Sequence, residues 1–250
     1  MVRRVNESGG IGGRRLRLVA LDDSHQADPV KDNMWRLTDR EQVVAVIGNV
    51  GTAGATVALS IANETGVMVR GLFKHGTKPQ EIAFFTQNDG YGDSGFNGAV
   101  KAFNEAGFQD TQSLARQVVP SALFLNVSFV GSAALNQALG ADAEGVIVAR
   151  VVPHYDSPLP GVREFRAARG RFEADVPASF IQLEGFLAAK ALVEGLRRAS
   201  PITRERLIDA LESGPIDIGT PLRYRTTEHQ GSHQGWLTVI RNGNFVPLDW

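Results

Sequence analysis

VVAVIGNVGTAGATVALSIANETGVMVRGLF, residues 43–73, decides how the rest of the chain is read. Val43 to Ile47 is a short, apolar, β-branched run of the kind that parallel sheets bury on both faces. Gly48-Asn49-Val50-Gly51-Thr52 closes it, and Ala53 to Glu64 then carries apolar residues at helical spacing. Gly66 stops that helix, and Val67-Met68-Val69 supplies a second strand. The stretch predicts one βαβ unit with a Gly-rich loop at the carboxyl end of its first strand, where open α/β sheets take their ligands. The loop is not a dinucleotide fingerprint, because Val50 stands where the second glycine belongs. Nor is it a phosphate loop, because Ala53-Gly54-Ala55 replaces the Lys-Ser/Thr ending. What remains is a helix start with free N–H groups and the Thr52 hydroxyl at its cap. Such a start accepts a carboxylate or another acceptor group, and it equally serves to cap its own helix.

Upstream of this unit, Val2 to Asn6 reads as a helix tail ended by Ser8-Gly9-Gly10, and Leu16 to Leu21 as a strand. Pro29 to Leu37 fits a short helix with Asp28 as cap. Downstream, Lys74 to Pro79 runs from one strand end straight into the strand Ile82 to Phe85, a link too short for a parallel crossover. A hop between lobes with missing material accounts for it. Thr86 to Gly92 is a polar, Gly-rich loop, followed by a helix from Ser94 to Ala106. Strands are expected at Leu114–Val119, Leu123–Leu125 and Gly145–Ala149. The loop Asn126 to Gly131 and a helix from Ala133 to Leu139 lie between the last two. Pro153, Pro158 and Pro160 mark an extended linker, the second hop. Val162 to Phe172 is an amphipathic helix. Ser179 to Ala199 is the longest one, with Phe180, Leu183, Phe186, Leu187, Ala191, Leu192 and Leu196 as its core stripe and Glu184 and Glu194 on its wet side. Arg204 to Leu211 is a further helix, and Asn242-Gly243 between two apolar runs signals a hairpin.

Composition excludes several classes. The chain of 250 residues is 43% hydrophobic with a net charge of −1, so nothing draws it to nucleic acid or a membrane by bulk charge. It holds no cysteine, hence no disulfide or thiolate chemistry. No apolar run spans a bilayer, and MVRRVNESGG has no apolar signal core, so a secreted protein would stand here in mature or trimmed form. There is no Gly-x-Ser-x-Gly elbow and no carboxylate pair at useful spacing. His229 and His233 are separated by Gly231-Ser232 and read as loop residues, and Asp22-Asp23 with His25 as a strand-end turn. We therefore expect no catalytic residue, no metal and no cofactor.

Five pieces in order resemble a known family: GGIGGRRLRLVALDD, VVAVIGNVGTAGATVALSIANETGV, IAFFTQNDGYGDSGFNGAVKAF, FLNVSFVGSAAL and GWLTVIRNGNFVPL. They look like type I periplasmic binding proteins, and most like the leucine/isoleucine/valine-binding subfamily that serves ABC importers. The resemblance implies an α/β fold of two doubly wound lobes joined by crossovers, with residues 1–73 plus 155–233 in lobe I and 74–154 plus 234–250 in lobe II. It implies a receptor outside the cytoplasmic membrane, periplasmic or extracellular and peripheral to the membrane, that hands a small amino acid, carboxylate or amide to a permease. No nucleic acid partner is implied. Asn49, Val50, Gly51 and Thr52 fall on the loop that holds the ligand carboxylate, Thr52 by its hydroxyl. Phe73 falls at the second ligand loop, and Tyr91 on the aromatic that packs over the ligand. Asn126 and Ser128 fall on a third loop, Ser128 where amino-acid binders carry an acid for the ligand ammonium. That departure tilts the ligand away from α-amino acids. The family's first strand, a segment after Phe73 and a strand and helix between Val119 and Ser121 have no counterpart. The same fold also serves as the sensing domain of regulators, and a shortened copy that binds nothing is the other alternative.

Overall fold

The computed structural model describes residues 1–22, 27–48, 70–78, 82, 90–107, 125–126 and 132–249. The chain divides into two units, Met1–Ala53 with Tyr155–His233, and Gly54–His154 with Gln234–Trp250. The second unit takes in residues 54–73, which the sequence reading places in lobe I. The expected helix at 53–64 and strands at 67–69 and 114–119 lie outside the described residues, as do residues 83–85 of the strand expected at 82–85.

The first unit is helical around one long element. Helix α1 (Val2–Glu7) is followed by α2 (Ala27–Trp35), which runs on through a π turn, Arg36–Arg40. It starts two residues before Pro29 and outlasts the expected end at Leu37. Helices α5 (Pro160–Phe172), α6 (Phe180–Arg198) and α7 (Arg204–Glu212) complete the unit, with a two-stranded ribbon of β3 (Ile216–Asp217) and β4 (Pro221–Leu222). Ser179 caps α6 through a reciprocal capping box with Gln182, which fixes where the helix begins. Of the stripe read from the sequence, Phe180, Leu183, Phe186, Leu187, Ala191 and Leu196 are buried and Leu192 is partly so, and Val193, outside the stripe, joins Leu196, Leu207, Val5 and Ile11 in one core cluster. Lys190, on the same helix, is drawn inside by Glu164 of α5 at 2.6 Å, and Glu164 also takes a hydrogen bond from Arg4 at 2.9 Å.

Two strands expected in this unit are not formed. Leu16 to Leu21 and Val43 to Ile47 carry no ladder, and Leu18, Val44 and Ile47 are exposed. A β-branched run becomes a strand only where a neighbour takes its backbone hydrogen bonds. At the first residue of each run those groups are taken by other partners. The Asn6 side chain bonds both the N–H and the carbonyl of Leu16, at 2.7 and 2.8 Å. Val43 donates its N–H to the Leu37 carbonyl at 3.0 Å and accepts from Arg204 Nε at 3.2 Å.

Among the described residues the second unit is built on a four-stranded sheet in the order β1-β2-β5-β6. Strand β1 (Leu125–Asn126) pairs parallel with β2 (Ile147–Arg150), Leu125 against Ile147. Strand β5 (Trp236–Arg241) runs antiparallel to β2 and turns into β6 (Asn244–Leu248). Asn242 and Gly243 both have positive φ, 49° and 72°, as the tight primed hairpin turn requires. Alternation sends Ile147 and Ala149 into one apolar layer with Leu237 and Val239. Val146 and Val148 enter another with Leu135 of α4 (Ser132–Leu139) and Ile240. A third cluster joins residues 70–74, which are helical, to α3 (Gly90–Glu105) through Phe73, Ala99, Ala102 and Phe103.

Candidate functional site

The parallel pair β1–β2 defines a carboxyl edge, and the last residue of each strand sits there. Asn126 ends β1 opposite Val148. It was expected to open a loop; the structure gives it ladder pairing first. Arg150 ends β2 and is 1% exposed, an unusual place for a permanent cation. Its Nε donates to Thr238 Oγ1 at 3.4 Å, and its guanidinium carbon lies 4.8 Å from the centre of the Phe245 ring. Thr238 in turn donates to the Val148 carbonyl at 3.3 Å. A hydroxyl and a ring face thus replace part of the hydration this charge has lost. Arg150 was missed at the sequence level. Its signal was an arginine closing the apolar run Val146-Ile147-Val148-Ala149, where a buried strand tolerates a cation only with compensation.

Of the eight residues expected at the ligand, Asn49, Val50, Gly51, Thr52 and Ser128 lie outside the described residues. Tyr91 was read as a loop residue, but its backbone belongs to the first turn of α3, because that helix starts at Gly90 rather than Ser94. Its side chain also lies outside the described residues. Phe73 was read at a strand end leading into a ligand loop. It is instead helical, and its ring meets Phe103 edge-on at 5.0 Å between centroids, perpendicular to it. That contact commits the Phe73 ring to the packing of the second unit.

Titratable groups elsewhere are set by burial. Desolvation pushes the Glu184 carboxyl above its ordinary value, so this glutamate is not on a fully wet face as expected. Burial likewise raises the Tyr224 phenol, whose ring packs where a side chain on Gly231 would sit. His229 faces Glu212 at 3.1 Å and His233 faces Glu228 at 2.8 Å, two separate surface pairs. Among the described residues no three His, Asp or Glu side chains gather as metal ligands would.

The family model for periplasmic binding proteins matches residues 1–80 and 115–244, and the chain belongs to that family. It resembles the crystal structure of a possible leucine/isoleucine/valine-binding protein from Rhodopirellula baltica SH 1. Identity is 31% with a TM-score of 0.87, over 100% of this chain and 89% of that one. A substrate-binding periplasmic protein from Ralstonia solanacearum is 24% identical, with a TM-score of 0.76 over 94% of this chain and 88% of the other. A branched chain amino acid ABC transporter protein from Thermus thermophilus, solved with bound valine, is 17% identical with a TM-score of 0.74, over 99% of this chain and 88% of that one. The last two speak for the fold alone. No curated protein sequence matches the chain. The fold is that of type I periplasmic binding proteins, α/β with doubly wound lobes, and the family is one of binding proteins.

Proposed function

We propose that this chain is the solute receptor of an ABC importer, holding a small carboxylate, amino acid or amide outside the cytoplasmic membrane and delivering it to a permease. The observation that carries this reading is the 31% identity maintained over the whole chain and 89% of a possible leucine/isoleucine/valine-binding protein. Asn49 to Thr52, which the sequence reads as a helix start, would offer N–H groups and a hydroxyl to the ligand's acceptor end. Tyr91, Asn126 and Ser128 are the further residues that the family resemblance assigns to the ligand. Ser128, neutral where an ammonium would want a carboxylate, favours ligands without that group. A solute bound more tightly by one conformation shifts the receptor toward it, the signal a permease reads.

A thermal-shift panel of leucine, isoleucine, valine, acetamide and short aliphatic carboxylates tests this. A ligand present at a hundred times its Kd stabilises the native state by about 2.7 kcal/mol, a clear rise in Tm. The proposal expects at least one compound to give that rise, with amides or carboxylates ahead of the amino acids. A cooperatively melting protein indifferent to every compound at millimolar concentration would contradict it.

A further inference from the structure

The run Leu16–Leu21, strand-capable but without a ladder, has one side of its backbone committed and the other open. Arg14 exchanges both backbone hydrogen bonds with Ile11, at 3.0 and 2.8 Å. Leu16 gives its N–H and its carbonyl to the Asn6 side chain, and the Asp22 carbonyl accepts from Asn33 Nδ2 at 2.8 Å. These three residues are spaced by multiples of two, and along an extended chain alternate residues aim their backbone groups the same way. Residues 15, 17, 19 and 21 therefore aim theirs outward, and among the described residues they make no backbone hydrogen bond. Leu16 rests on the core cluster of Val5 and Ile11, but Leu18, the next residue on its face, is 63% exposed. A row of open donors and acceptors beside exposed apolar side chains invites one more strand.

The flanking charges decide which strand fits. In Arg14-Arg15-Leu16-Arg17-Leu18-Val19-Ala20-Leu21-Asp22 the cations gather at one end and the anion closes the other. The stretch is thus complementary to itself when a second copy lies antiparallel to it. A two-fold axis through such a ladder keeps every side chain on its own face, so the pairing centres on a residue rather than between two. Centred on Leu18, it sets Arg14 against Asp22 of the second copy, Leu16 against Ala20, and Leu18 against itself. The ladder bonds then fall on residues 15, 17, 19 and 21, and Arg14, Leu16 and Asp22 keep the backbone partners they have. Centred on Val19, it would set Asp22 against Leu16 and lose the charge match. The other unladdered run, Val43–Ile47, has no such match, since Glu41 precedes it and Gly48 follows; Gln42, with φ at 48°, also kinks the chain at its start.

We propose that two copies of this chain associate through antiparallel pairing of residues 14–22, centred on Leu18. The interface lies within the first unit and does not rest on Thr52 or on the importer reading. Sedimentation equilibrium of the intact chain across the micromolar range tests it, and a reversible monomer–dimer equilibrium is expected. Val19→Pro removes an outward N–H that no bond within the chain uses, and should raise the dimer dissociation constant about tenfold or more. Arg14→Asp sets two carboxylates opposite one another and should weaken the dimer severalfold, because the symmetry applies the change twice. Adding Asp22→Arg to it restores opposite charges in reversed order, so the double variant should recover most of the affinity. Thermal melts check that each variant folds; should Val19→Pro lose its cooperative transition, Leu18→Lys, at a site already exposed, takes its place and should also dissociate the dimer. A chain that stays monomeric throughout would overturn the proposal. So would a dimer indifferent to the substitution at 19 or 18, or a double variant no tighter than Arg14→Asp alone.

Discussion

Glu164 and Glu184 lie on successive helices of the first unit and respond to their surroundings in opposite senses. Burial opposes ionisation of Glu164, but hydrogen bonds from Lys190 and Arg4 outweigh it and hold the carboxyl below its ordinary 4.5. A depressed carboxyl stabilises the native state above its unfolded value, and that contribution fades as pH falls through the folded one. Glu184 has burial without a compensating cation, so its carboxyl titrates above 4.5. Its effect has the other sign: ionisation costs stability, fully so above the folded value and not at all below the unfolded one. Urea melts should therefore show Glu164→Gln weakening the fold at pH 7, with the deficit closing below pH 4.5. Glu184→Gln should strengthen it at pH 7, with the gain vanishing below the same pH 4.5. Parallel pH curves for the two variants would refute the assignment. Neither role was legible in the sequence, where both glutamates are simply charges on helices. What separates them is which neighbouring helix brings a lysine, and that is a tertiary fact.

Element by element, local chemistry was readable where it is self-sufficient. The Ser179–Gln182 capping box and the apolar stripe behind it specify α6 from within one segment, and Ser179→Ala should cost about 1 kcal/mol in a denaturant melt. A loss under a few tenths would mean the cap is redundant. Asn242-Gly243 likewise carries its turn in its own residues. With φ at 72°, Gly243→Ala should cost about 1 kcal/mol, read in the same melt against Gly214→Ala, a glycine without positive φ, as control. The runs Leu16–Leu21 and Val43–Ile47 were readable only as strand-capable. A ladder needs a second strand at hydrogen-bonding distance, and Asn6, Leu37 and Arg204 hold the first residue of each run instead. The early start of α3 at Gly90 escaped notice for a related reason: glycines at 90 and 92 read as a loop, while packing of Ala99, Ala102 and Phe103 on Phe73 holds the helix that includes them.

At the scale of the whole molecule, family and fold were legible because five separated pieces kept their order, and no single motif had to carry the identification. The candidate site was legible only as a set of positions. Its hydroxyl, Thr52, and its aromatic, Tyr91, lie far apart in the chain, so no periodicity within one segment could join them. The central claim is that Thr52 grips the acceptor end of the transported solute. Calorimetric titration of the best compound from the thermal-shift panel into the parent chain and into Thr52→Ala tests it most directly. Loss of one hydrogen bond to a charged group predicts affinity weakened about tenfold or more in Thr52→Ala, with a cooperative melting transition retained in the absence of ligand. Equal affinity in the two proteins would contradict the claim.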